Sequence, residues 1–284
     1  MAKSVSVRVK SKWRALKIFS VILIVLLLIA GLLEAGVFAE HFLYRPYAPD
    51  YKKEDISSLL EKEERSEQDY QKLYAQTGLS AAAIEDILKK HDKDFVLEIQ
   101  EDFFAGYKVN SEQFAPFTCY HYIDKNIKTA PLKDGDIIVT PTTHFSVFRL
   151  GHASILSDAE NGEMVSATGY MRKSYIEGIF ELTDRPAFVI LRPKNRQAAQ
   201  KAAKFAGENL TDLQYSVSVG LTAPKFPERA DRTQCGHLVW YAYKKQGIDI
   251  DSNGGPFVFP SDILNSPELE VVQVYGMDPL ALKK

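Results

Sequence analysis

Gly151-His152-Ala153-Ser154-Ile155-Leu156-Ser157-Asp158-Ala159-Glu160-Asn161-Gly162-Glu163-Met164-Val165-Ser166-Ala167-Thr168 reads as two β-strands joined by a turn. Asn161-Gly162 is a strong hairpin signal, because both residue types accept the positive φ that a tight turn demands. A five-residue loop over 158–162 sets Ser157 opposite Glu163. That register carries His152 opposite Thr168, with Ser166 diagonal to it. Strand alternation places His152, Ser154 and Leu156 on one face. A histidine that opens a strand, with hydroxyls across the pair, has the makings of a general base with a group to orient it.

Further strands follow outward from this hairpin. Residues 136–140 (after the turn at Asp134-Gly135), 188–192 (closed by Pro193) and 269–274 are short apolar runs rich in Ile, Val and Leu. Residues 194–210 form an Ala-rich helix, and 233–246 another that stops at Gly247. The expectation is an α+β domain over 107–284 with an antiparallel sheet packed on helices, large enough for its own core. Residues 40–106 precede it as a linker and helical segment. Arg45-Pro46-Tyr47-Ala48-Pro49 is stiff, 54–74 is charged and helical in type, Ser80 is an N-cap for a helix to about His91, and 95–104 follows.

The chain of 284 residues carries 35 basic and 37 acidic side chains, a net charge of −2. That balance excludes a generic nucleic-acid binder, and the composition excludes a disordered or disulfide-dense chain. The charge is unevenly spread. Lys3, Arg8, Lys10, Lys12, Arg14 and Lys17 stand in the first 17 residues without an acidic neighbour. The remaining 267 residues hold 29 basic against 37 acidic groups, a sum of −8. After the basic flank of 1–17, residues 18–39 are apolar, broken chiefly by Ser20, Gly31 and Glu34. Twenty-two residues suffice to cross a bilayer core of ~30 Å, with the basic flank inside and everything beyond outside. Val37-Phe38-Ala39 also has the small-x-Ala character of a signal-peptide cleavage site. The segment is either a single-pass anchor or a signal cut near Ala39. Both readings put the domain outside the cytoplasm.

The two cysteines, Cys119 and Cys235, would form a disulfide in the simplest reading of an exported protein. Their contexts differ, however. Cys235 falls in the first turn of a helix, on one face with Leu238, Val239 and Ala242, where free N–H groups and the dipole favour a thiolate. Among the six histidines, His41 and His91 belong to solvated stretches, and His144 to an irregular, surface-type Thr-rich one. His237 lies about 200° around the helix from Cys235. His152 is different, because it opens a strand after Gly151 with hydroxyls across the pair. Cys119-Tyr120-His121 lacks further ligands at zinc spacing, so neither a metal nor a cofactor is expected. Tyr107, Phe117, Tyr120 and Tyr122 line a groove or belong to the core.

The order of these parts resembles the circularly permuted papain-like hydrolases of the NlpC/P60 superfamily, nearest their YiiX/YaeF-like amidase branch. The resemblance spans about residues 131–275. It is carried by Asp134-Gly-Asp-Ile-Ile138, His152-Ala-Ser-Ile155, Arg192-Pro193, the Ala-rich helix, Gln234-Cys-Gly-His-Leu-Val-Trp240 and Pro260-Ser-Asp-Ile-Leu264. The histidine strand precedes the cysteine helix, which is the permuted order. The resemblance implies Cys235 as nucleophile, His152 as general base and, on the strand after the histidine, Ser166 as third residue, with Thr168 the alternative. A serine departs from the Glu, His, Asn or Gln usual at that position. The implied activity is cysteine amidase or peptidase chemistry through a thioester, on a cell-wall peptide or an N-acyl or lipid amide. The alternative is a non-catalytic peptide- or lipid-binding module on the same fold.

Overall fold

A computed structural model describes residues 2–114, 117–169 and 172–282. At its centre is a six-stranded sheet, antiparallel throughout, built from β3 (Ile137–Thr140), β6 (His152–Asp158), β7 (Glu163–Ser166), β8 (Tyr175–Gly178), β9 (Phe188–Pro193) and β12 (Leu269–Tyr275), in the order β12-β9-β3-β6-β7-β8. The apolar runs of β3 and β9 are continuous because both faces of the sheet are covered. Ile137, Val139, Val189 and Leu191 pack against α7 (Arg196–Asn209) and α8 (Cys235–Lys244). Ile138, Phe188 and Ile190 point the other way into α2 (Ser57–Leu60), α3 (Glu67–Thr77), α4 (Ala81–Lys90) and α5 (Lys93–Phe104). The helical segment therefore closes the second face of the sheet. The charged stretch of helical type over 54–74 divides into α2 and α3. Ser66 there accepts from the Asp69 amide, and Asp69 accepts from that of Ser66, in a capping box. Ser80 caps α4 as its sequence position implies.

The hairpin takes the expected register in its body, with Ile155 opposite Val165 and Leu156 opposite Met164. A bulge near the turn pairs Asp158 with Glu163, so Asp158 belongs to β6 and its carboxylate caps the turn at the Asn161 amide. Asp136 and Arg192 form a fully buried bidentate pair at 2.6 and 3.0 Å that rivets β3 to β9.

Sequence reasoning placed no strand in a second, four-stranded sheet. Its strands are β1 (Val109–Phe114), β2 (Phe117–Tyr122), β4 (Thr143–Phe145) and β5 (Phe148–Arg149), ordered β1-β2-β4-β5. The N-terminal helix α1 (Ala2–Leu43) is long and apolar enough to span a membrane or to be a signal sequence. Its last turns dock on this small sheet. Leu33, Gly36, Val37, Glu40 and Tyr44 lie on the covered side, at i, i+3, i+4, i+7 and i+11.

Candidate active site

Cys235 is the first residue of α8, immediately after its N-cap Gln234. Gln234 Oε1 accepts from the Gly236 amide at 2.9 Å, and its Nε2 donates to the Val258 carbonyl at 2.8 Å. The cap is thus held at both ends of its amide. The Cys235 thiol donates to the same Oε1 at 3.6 Å. Three backbone N–H groups face the sulfur, those of Ala153, Gly236 and Cys235 itself. They favour the thiolate, but burial outweighs them and pushes the thiol up from its ordinary value.

His152 opens β6 after Gly151, whose φ of +71° bends the chain into the strand. A Cβ at residue 151 would also stand 2.8 Å from the Thr140 carbonyl oxygen, so the position is reserved for glycine. The imidazole Nε2 lies 2.8 Å from Ser166 Oγ and 3.1 Å from Ser154 Oγ. Burial lowers its pKa to about 3, with the positive Arg185 adding to the effect. In the resting site, thiol and imidazole are both neutral. Cys235 and His152 are only 8% and 7% exposed, and no hydrogen bond joins them. They are neighbours through the backbone: the amide of Ala153, the residue that follows His152, is close enough to the sulfur to favour its thiolate.

Glu177 on β8 was not anticipated. Its carboxylate accepts from Ser154 Oγ at 3.3 Å and from the Tyr175 hydroxyl at 3.0 Å, and Ser154 Oγ is also hydrogen-bonded to Ser166 Oγ at 3.0 Å. Each serine has one proton to give, and a carboxylate can only accept. With Ser154 donating to Glu177 and Ser166 donating to Ser154 across 3.0 Å, the Ser166 oxygen accepts from Nε2. A relay in that direction puts the proton on Nε2 and leaves Nδ1 as the basic nitrogen, whereas the reverse relay, from Ser154 through Ser166 to Nε2, puts it on Nδ1. The sequence signal was the Tyr175/Glu177 alternation, two polar residues on one face of a strand next to β7. Tyr215 on β10 (Gln214–Tyr215) was also missed; burial, and then the negative charge of a Cys235 thiolate, raise its phenol above the ordinary value.

The structure brings Cys235, His152 and Ser166 into one region and leaves Thr168 outside it. β7 ends at Ser166, and the Thr168 hydroxyl turns away to Tyr175 at 3.0 Å. His237 is held by Thr233 Oγ1 at 2.9 Å and the Lys225 carbonyl at 2.8 Å, in a buried structural role. His144 is buried rather than superficial, with Nδ1 2.8 Å from Glu40 Oε1. Both cysteines are free, and Cys119 contacts Arg185 and Thr143 in the small sheet. Tyr120 and Tyr122 are buried. A cavity of about 310 Å3 lies between the end of α1 and the small sheet, lined by residues that include His41, Arg45, Tyr107 and Tyr120, away from Cys235. Compared with known proteins, the chain matches no family model, no curated protein and no solved structure.

Proposed function

We propose that the chain is a membrane-anchored, extracytoplasmic cysteine hydrolase of permuted papain-like NlpC/P60 type, cleaving amide or ester bonds through a Cys235 thioester. The observation that supports this best is the chain from Glu177 through Ser154 and Ser166 to His152 Nε2, which directs a basic Nδ1 away from the serines. Cys235 stands at a helix start, with the amide after His152 close enough to favour its thiolate. Neutral thiol and neutral imidazole form a competent resting pair when the proton moves during attack. His152 takes it from Cys235 as sulfur bonds to the carbonyl carbon, then passes it to the departing amine or alcohol. Water, deprotonated by the same nitrogen, releases the acid and restores the thiol. The N–H groups at the start of α8 supply donors for the developing oxyanion. The missing Cys–His hydrogen bond fits a resting site, since such bonds commonly tighten only around substrate. The basic flank and apolar helix serve as a retained anchor with the N-terminus inside. The substrate is a peptide amide or an N-acyl amide presented outside the cytoplasm.

A second reading, a binding module without catalysis, draws on the burial of both side chains. Hydrolysis of peptide and N-acyl amide libraries by the full chain decides between them. Cys235→Ala and His152→Ala abolish turnover under the hydrolase reading, while Cys119→Ala retains it. Equal turnover by Cys235→Ala overturns it.

A further inference from the structure

We infer that the β4–β5 hairpin is a second membrane contact, its tip seated in the outer leaflet of the bilayer that α1 crosses. The inference rests on the anchor reading of α1 given above. A bilayer core of ~30 Å takes about 20 helical residues at 1.5 Å each. Counted from Ile18, just past Lys17, the span ends near Val37. The hairpin tip is fixed to that outermost stretch. Ser146 Oγ donates to the Leu33 carbonyl at 3.1 Å. A Cβ on Gly36 would lie 2.1 Å from Ser146 Oγ and 3.3 Å from a Val147 methyl, so the glycine admits the tip against the helix. Above this point the Glu40–His144 pair and the stacking of Tyr44 on Tyr120, at 3.7 Å, hold helix and sheet together.

At the depth so defined, the hairpin exposes Val147, Phe148 and Leu150, at 54, 61 and 39%. Three large apolar side chains around one tip, level with the end of a span, match an interfacial wedge, which reaches roughly 5–10 Å into the headgroup and acyl boundary. Pairing of His144 with Arg149 and of Phe145 with Phe148 satisfies the hairpin's inward backbone groups. Arg149, between the apolar residues, is suited to lipid phosphate. Phe38 and Phe42, exposed on the free side of α1, supply aromatic residues at the same interface. His152 follows Arg149 by three residues, which keeps it within about 10 Å along the chain. The wedge therefore holds the Cys235–His152 region close to the membrane surface.

The test is Trp fluorescence of the full chain in phosphatidylcholine–phosphatidylglycerol nanodiscs, with Phe148→Trp placed in a Trp13→Phe background so that buried Trp240 is the sole other indole. Lipids brominated near the top of the acyl chain should quench the new indole at least about twofold more than Trp240, with a blue-shifted emission, as interfacial burial requires. Water-like emission and no added quenching, in discs that retain the helix, overturn the hairpin contact and leave the anchor standing. The intact mass of the protein from membranes of producing cells reports the anchor separately. A chain beginning after Ala39 removes the span from which the depth is measured, and both readings fall. As a second variant, Val147→Glu with Phe148→Glu should speed trypsin cleavage after Arg149 in discs severalfold, and an unchanged rate contradicts the wedge.

Discussion

Replacing both Ser154 and Ser166 by alanine removes every hydroxyl at His152 Nε2, at 3.1 and 2.8 Å. A buried N–H left without an acceptor costs about 1–3 kcal/mol. The imidazole escapes that cost by moving its proton to Nδ1, which disarms the base. At 1.4 kcal/mol per tenfold, this corresponds to a rate loss of roughly 5- to 150-fold for any step in which Nδ1 accepts the Cys235 proton. Ser166→Ala alone leaves Ser154 Oγ in place, so its loss stays below about tenfold. Glu177→Gln keeps both hydroxyls but adds a donor at the far end, freeing a serine proton to compete for Nε2. Its effect has the same sign and is smaller. The assay is alkylation of Cys235 by iodoacetamide between pH 6 and 9 in a Cys119→Ala background, with adducts located by peptide mass. Wild-type alkylation rates in the double alanine variant, with the fold intact by circular dichroism, refute the tautomer reasoning.

Three further outcomes concern stability. His152 and His237 are held neutral when folded, with pKa values lowered to about 3 and about 4 from 6.5, so the unfolded chain binds more protons across that interval. Stability is full above pH 6.5 and falls by several kcal/mol as the pH drops towards 4, which urea titrations at stepped pH will register. Asp136→Ala removes the bidentate partner of buried Arg192, leaving it Asp86 at 3.3 Å and the Pro131 carbonyl at 2.9 Å, and should cost about 3 kcal/mol, read as a lower urea midpoint. Gly36→Leu cannot coexist with Ser146 at its present position, so the end of α1 should lift from the small sheet and expose the Ser146 amide to hydrogen exchange.

The central strands were legible because β3 and β9 are buried on both faces and read as unbroken apolar runs, and because Asn161-Gly162 fixed where the hairpin turns. The bulge at Asp158 escaped notice, since its carboxylate simply acts as a turn cap. The small sheet was not legible. β2 buries Thr118, Tyr120 and Tyr122, residues whose alternation does not register on a hydrophobic pattern, and β5 is two residues long. In the candidate site, Cys235 and His152 stood out by local position, while register set Thr168 opposite His152 and Ser166 diagonal to it, and the family resemblance singled out Ser166. Glu177 did not, because its role depends on β8 pairing with β7, and Tyr175-Ile176-Glu177-Gly178 carries little strand propensity at its polar end. His144 looked superficial only because Glu40, 104 residues earlier, was invisible as its partner.

The most direct test of the central claim is to capture the acyl group on sulfur. The full chain is mixed with p-nitrophenyl esters of short and long acids, quenched in acid within seconds and mapped by peptide mass. The account predicts a hydroxylamine-labile acyl adduct on the peptide containing Cys235, absent in Cys235→Ala and slowed in His152→Ala. An adduct confined to Cys119, or none at Cys235 under turnover, contradicts it.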